Sequence, residues 1–95
     1  MEVSVPEYKI LPEVSLNPLV TALIVVDMQV DFVSPGGKLF VQDARKTIPA
    51  IRRLMAKARE AGVPVIFTQD WHRADDPEFS IWPAHAVEGT AGSEI

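Results

Sequence analysis

Three side chains in the second half of the sequence have the types and the spacing of a metal-ligand set. Asp70 and His72 are two residues apart, which in an extended segment places both side chains on one side of the backbone. His85 follows beyond a loop that could fold back onto them. One carboxylate and two imidazoles can hold a divalent metal ion and leave positions open for water or a substrate. The spacing alone leaves open the alternative that both histidines are ordinary surface residues.

Two aspartates follow the two apolar runs of the chain. Asp27 comes after the run 21–26, and Asp70 comes just after the run 63–68. Short apolar runs without alternation are typical of strands buried on both faces of a parallel sheet. Ligands of open parallel α/β sheets bind outside the carboxyl ends of the strands. A turn or capping role is the alternative for each aspartate, but two of them at one sheet edge, with histidines beside one, favour a functional site.

The elements between these aspartates predict how the site is assembled. Residues 47–61 carry apolar side chains at spacings of three and four, so a helix is expected, with Pro49 in its first turn and Gly62 after its end. Strand, helix and strand in this order form a βαβ unit with parallel strands, so the fold class is α/β. A loop is expected over 32–40, which contains a Pro-Gly-Gly sequence, and an irregular functional segment over 71–95.

Residues 1–20 and 21–95 are expected to form two parts. The first is an N-terminal arm with three prolines and no clean period, in which Tyr8, Ile10 and Leu11 are candidates for packing. The second part holds the βαβ unit. Because one such unit cannot cover both faces of a parallel sheet, the sequence is interpreted as truncated or as completed by a partner.

Composition excludes several classes of function. The 95 residues carry a net charge of −4, which argues against nucleic acid as a partner. They contain no cysteine, so disulfides and thiolate chemistry are excluded within them, and no serine lies in a nucleophile-elbow pattern. The longest apolar run is far too short to span a bilayer, and no secretory signal opens the chain, so no membrane partner and a cytoplasmic location are expected.

Several stretches together resemble a known enzyme family. ALIVVDMQVDF at 22–32, GVPVIFTQDWH at 62–72 and WPAHAVEGTAGSEI at 82–95 resemble the N-terminal half of the isochorismatase-like cysteine hydrolases, and most closely the nicotinamidases or pyrazinamidases. The combination of DxH and WPxH, after a strand that ends in DMQxDF, is fairly specific. The resemblance implies a Rossmann-like three-layer αβα fold with a parallel sheet, of which this chain holds the first βαβ portion.

The resemblance also implies an activity. Nicotinamidases cleave nicotinamide to nicotinate and ammonia through a thioester on a cysteine, as part of NAD salvage. Asp27 matches the aspartate that takes the thiol proton and later passes it to the leaving ammonia. Phe32 and Trp82 match the aromatic residues that sandwich the substrate ring.

A metal site is implied in the same way. The family's metal ligands match Asp70, His72 and His85. Zinc is the expected ion, with manganese or iron as alternatives, and it would hold the pyridine nitrogen of the substrate. A further histidine that many nicotinamidases carry is absent from 73–77, so a carboxylate or a water is expected to replace it. Asp75, Asp76 and Glu78 are interpreted as solvated loop charges, one of which could approach the metal.

The family's lysine and nucleophilic cysteine lie farther along than Ile95, so no nucleophile is expected in this chain and the chain alone is expected to be catalytically incomplete. The expected partners are a small amide such as nicotinamide, and either a second copy or a complementing C-terminal half. Three alternatives stay open. The chain could belong to another isochorismatase-like hydrolase, serve as a non-catalytic metal-binding or interaction module, or use a metal-bound water with Asp27 as base.

Overall fold

Two short parallel strands and the helix between them form the centre of the computed structural model, which describes residues 2–95. Strand β1 (Leu23–Val25) pairs with β2 (Val65–Phe67) in parallel, with Ile24 opposite Ile66. The predicted βαβ unit is therefore confirmed. Both strands are shorter than the apolar runs that predict them, although backbone bonds continue on either side, from Leu23 N–H to the Pro64 carbonyl and from the Thr68 N–H to the carbonyl of Val25.

Two helices lie between β1 and β2 in the chain. Helix α1 (Val30–Val33) comes directly after the end of β1, and helix α2 (Ile48–Glu60) connects the two strands and packs against both. The predicted loop over 32–40 is wrong at its beginning, because Phe32 and Val33 belong to α1. A four-residue helix has too short a pattern to be read from spacing, and this one is held by contacts with the end of the chain.

Helix α2 ends as the sequence predicts. Gly62 adopts a left-handed conformation with φ of 74°. Its N–H donates to the carbonyl of Arg59, and the N–H of Val63 donates to the carbonyl of Ala58, which is the Schellman arrangement. This tight stop turns the chain directly into β2.

The rest of the chain is irregular, as expected for 71–95. Short 3-10 turns occur at Pro18–Val20, Ala44–Thr47, Pro77–Ser80 and Ala91–Ser93. An isolated parallel bridge joins His72 to Val87, so the segment folds back onto the end of β2. In residues 2–95 no helix combines the length and the apolar character needed to cross a membrane.

One face of the small sheet is open. Val25 is buried, whereas Ile24 is 55% exposed and Ile66 is 48% exposed. We call Ile24 and Ile66 the apolar face. The prediction that both strands are buried on both faces is thus not met within residues 2–95, because a single helix packs on a two-stranded sheet.

The N-terminal arm contributes little to this core. Tyr8, Ile10 and Leu11, the expected packing residues, are all exposed, so that expectation is wrong for the described chain. The boundary between arm and domain at residue 20 stays a prediction.

Candidate metal centre and active site

Asp27 stands at the carboxyl end of β1 in an unusual backbone conformation. Its φ is 51°, a left-handed value that is uncommon for residues other than glycine and that clusters at functional sites. The hydroxyl of Thr68, at the end of β2, donates to Asp27 Oδ1 over 2.6 Å and accepts from the backbone N–H of Asp27 over 3.0 Å. The carboxylate is therefore fixed at the sheet edge through one of its oxygens.

The three predicted metal ligands come together beside this edge. The Oδ2 atom of Asp70 lies 2.9 Å from His72 Nε2 and 3.5 Å from His85 Nε2. One ligand atom from each residue falls within 4.8 Å of the others. Tetrahedral ligands about 2.1 Å from a zinc ion are about 3.4 Å from one another. The observed spacing is thus that of side chains able to share one ion.

Hydrogen bonds on the far side of each imidazole orient the two rings. His85 Nδ1 lies 2.7 Å from the carbonyl of Pro83, and His72 Nδ1 lies 2.9 Å from Asp76 Oδ2. Because a carbonyl can only accept, Nδ1 of His85 carries a proton, and Nε2 is the ring nitrogen on the side of Asp70. Metal-ligating histidines are held by the same kind of outer bond to a carboxylate or carbonyl.

The charge around His72 is negative. The hydrogen bond that His72 donates to Asp76 raises the pKa of His72 above its ordinary value, with Asp70 and Glu78 adding to the shift and burial opposing it. The backbone N–H of Glu78 donates to Asp76 and, with His72, lowers the pKa of that carboxyl. An ionised carboxylate therefore orients His72, and a cation beside Nε2 is electrostatically favoured.

Glu78 is the carboxylate that approaches this position. Its Oε2 lies 3.2 Å from His72 Nε2, and it forms a second possible donor group with His72 and Asp76. The 3-10 turn Pro77–Ser80, in which the N–H of Glu78 donates to the side chain of Asp76, places Glu78 there. Sequence reasoning grouped Glu78 with the loop charges, because the direction of a side chain on so short a turn cannot be read from spacing.

Aromatic rings pack around the imidazoles. The ring of Phe32 lies 5.6 Å from that of His85, edge to face. Phe79, which sequence reasoning did not select, lies 5.2 Å from His72 and 5.5 Å from His85. Trp82 is half exposed, and within residues 2–95 its indole pairs with neither imidazole.

A buried glutamine ties β1 to the metal-ligand segment. Gln29 is completely buried, its Nε2 donates to the carbonyls of Asp70 and Ser93, and its Oε1 accepts from the N–H of Asp70 over 2.7 Å. All hydrogen-bonding groups of the amide are therefore used. Sequence reasoning missed Gln29, and its only signal was a polar residue inside the DMQxDF stretch.

The donor set fits a divalent metal ion. Two imidazoles present Nε2 to the carboxylate of Asp70, and the outer nitrogen of each ring is already engaged. Nitrogen and oxygen donors in this number suit zinc, and also manganese or iron.

The chain is similar to known hydrolases in both sequence and structure. A family model described as the isochorismatase domain matches residues 21–95. A nicotinamidase from Escherichia coli K12 is 30% identical over 93 residues, covering 78% of this chain and 43% of that protein. A ureidoacrylate amidohydrolase from Methylobacterium radiotolerans is 42% identical over 86 residues, covering 84% of this chain and 30% of that protein. The crystal structure of a pyrazinamidase of Pyrococcus horikoshii in complex with zinc is similar with a TM-score of 0.74 and 42% identity, covering 78% of this chain and 43% of that one.

The chain belongs to the isochorismatase family, since the family model matches well over half of it. The expected fold is confirmed by the similarity to solved pyrazinamidase and nicotinamidase structures. The chain corresponds to a part of that fold. The chain spans less than half the length of the relatives that it matches.

Proposed function

We propose that this chain provides the metal-binding and ring-binding part of an amidohydrolase active site that acts on a small carboxamide such as nicotinamide. The observation that carries the proposal is the convergence of two oriented imidazoles on the carboxylate of Asp70. Similarity to nicotinamidases and to a zinc-containing pyrazinamidase supports the choice of substrate class and of zinc.

The proposed metal ligands are Asp70, His72 and His85. Glu78 forms a separate group with His72 and Asp76, and it is proposed to turn towards the ion as a fourth donor in place of the additional histidine of many nicotinamidases. When bound, the ion supplies an electrophilic contact for a heterocyclic nitrogen, which fixes the ring and its carboxamide. Phe32 and Phe79 line the imidazoles with apolar surface and would exclude water from that contact. Trp82 is kept as a candidate ring-binding residue whose side chain would have to turn towards the site.

Asp27 is the proposed proton carrier. Hydrolysis of an amide through a thioester requires a base for the thiol and an acid for the leaving ammonia, and one carboxylate can serve both steps in turn. Thr68 holds Asp27 Oδ1, so Oδ2 is the proposed proton acceptor. The 95 residues contain no cysteine, so the thiol in this proposal belongs to residues outside them.

A second substrate class is favoured by a specific observation. The ureidoacrylate amidohydrolase is 42% identical to this chain over 86 residues, the same identity as that of the zinc-containing pyrazinamidase. A ureido substrate carries an amide-like carbonyl but no pyridine ring, so it offers no heterocyclic nitrogen to a metal. Dependence of ligand binding on the metal therefore separates the two classes.

The test is a zinc titration of the full 95-residue chain, followed by nicotinamide binding to the zinc-loaded and metal-free forms. We expect one zinc per chain, loss of binding in His85→Ala, and nicotinamide binding only to the loaded form. Asp75→Asn is the matched control, because Asp75 is an exposed carboxylate of the same loop whose partner is Arg73. Ligand binding that ignores zinc, or prefers ureidoacrylate, contradicts the nicotinamide proposal, and a chain that binds no zinc contradicts the metal site.

A further inference from the structure

Asp31 is a buried carboxylate whose partners are backbone groups. It is 7% exposed, its Oδ2 accepts from the N–H of Ala86 over 2.8 Å, and its Oδ1 accepts from the N–H of Lys38 over 3.1 Å. Burial of a carboxylate is unfavourable unless such bonds compensate for the lost water. Since burial of Asp31 is costly, we expect its hydrogen bonds to stabilise the two backbone segments that it contacts.

Ala86 connects Asp31 to both histidines of the candidate metal centre. It is completely buried and has a φ of 46°, a left-handed value that is rare for alanine. It directly follows His85 in the chain, and its carbonyl accepts from the N–H of His72 over 2.9 Å. Such a conformation persists only when the surroundings hold it, and the bond to Asp31 is one of those restraints.

Gly92 packs directly against the carboxylate of Asp31. A Cβ atom at Gly92 would overlap with Oδ2 of Asp31, so only glycine at this position lets the carboxylate reach Ala86. The end of the chain is fixed over α1 by the bond from Val30 N–H to the carbonyl of Glu94. Asp31 is thus enclosed between α1, the His85 loop and the last residues.

We propose that Asp31 is a positioning residue for the metal centre, acting through the backbone of Ala86 to set the placement of both imidazoles. The inference rests on the proposed metal site. His85 is affected through its covalent link to Ala86, and His72 through its hydrogen bond to the carbonyl of Ala86. Outer residues that orient metal ligands change metal affinity by roughly 10–100-fold when they are replaced.

Two variants of the full chain disturb the bond in different ways. Asp31→Asn keeps the size but removes the charge and one acceptor, and Gly92→Ala leaves Asp31 unchanged but pushes its carboxylate away from Ala86. We expect both to weaken zinc affinity by about 10-fold or more and to alter the visible spectrum of the cobalt-substituted chain, which reports ligand geometry. Asp75→Asn, with the same chemical change at an exposed site, should leave both unchanged.

A measurement on the unaltered chain covers the case in which a variant does not fold. Zinc binding and the Asp31–Ala86 bond are linked, so zinc should slow hydrogen exchange at the Ala86 amide by the same factor that the bond contributes to affinity. Fast exchange of this amide in the zinc-loaded chain would overturn the proposal. So would folded variants with wild-type affinity and an unchanged cobalt spectrum. Failure of the wild-type chain to bind zinc would instead reject the metal site itself, and the positioning role with it.

Discussion

The carboxyl edge of the sheet is held by hydrogen bonds, whereas its apolar face is left half exposed. At the edge, which we call the polar rim (Asp27, Gln29, Asp31, Asp70, His72 and His85), buried and half-buried polar groups are satisfied by hydrogen bonds between distant parts of the chain. On the apolar face, Ile24 and Ile66 are about half exposed. The candidate metal centre is therefore held by polar contacts within residues 2–95, whereas the apolar face has no such contacts in the same part of the chain.

The largest expected effect comes from removing a metal ligand in the polar rim. His85→Ala should weaken zinc affinity by more than about 100-fold, beyond the roughly 10–100-fold range of outer residues, because a direct donor is lost. A competition titration against a zinc indicator measures this. Affinity within tenfold of the wild type would mean that the rim does not hold the ion through His85.

The zinc affinity of the polar rim should fall as the solution is acidified. Protons compete with the metal for His72 Nε2, and Asp76 raises the pKa of His72 above 6.5. Zinc affinity should therefore be full above that raised pKa and fall as the pH drops through it. Titrations between pH 5 and 8 test this, and affinity independent of pH over that range would contradict it.

The metal-free chain should show the reverse dependence for His72. A raised folded-state pKa gives a stabilisation that is complete below 6.5 and is lost as the pH rises through the folded value. The lowered pKa of Asp76 gives a stabilisation that is complete above 3.8 and is lost on further acidification. Stability measured by urea unfolding should therefore be greatest between pH 3.8 and 6.5. His72→Gln should remove the loss of stability that the wild-type chain shows as the pH rises above this range.

Glu78 offers an intermediate effect. Glu78→Gln keeps the shape but removes the charge that faces His72 Nε2, so we expect about tenfold weaker zinc binding. Asp75→Asn is the control in the same loop, with an exposed carboxylate paired to Arg73. Equal affinity for both variants would leave Glu78 as a surface charge and water as the fourth ligand.

The sequence predicts the two strands, the helix and their order because these depend on local apolar spacing. It also predicts Asp70, His72 and His85 as a group, because the elements that carry them are local. Gln29 and Asp31 were not predicted, since their bonds join residues 41 and 55 positions apart. A polar side chain near an apolar run gives no sign of such a partner.

The smallest effects should come from the sheet itself. Thr68→Val removes the hydroxyl that holds Asp27, and should cost about 1 kcal/mol of stability, with zinc affinity unchanged. Ile66→Thr on the apolar face should change stability by less than about 0.5 kcal/mol and leave zinc affinity unchanged. A large loss of zinc affinity in Ile66→Thr would show that the apolar face and the polar rim are coupled.

The most direct test of the shared metal centre is a crystal structure of the zinc-loaded chain with anomalous data at the zinc edge. We expect one anomalous peak about 2.1 Å from Nε2 of His72, Nε2 of His85 and an oxygen of Asp70. A peak elsewhere, or coordination through Nδ1 of either histidine, would contradict the proposed site.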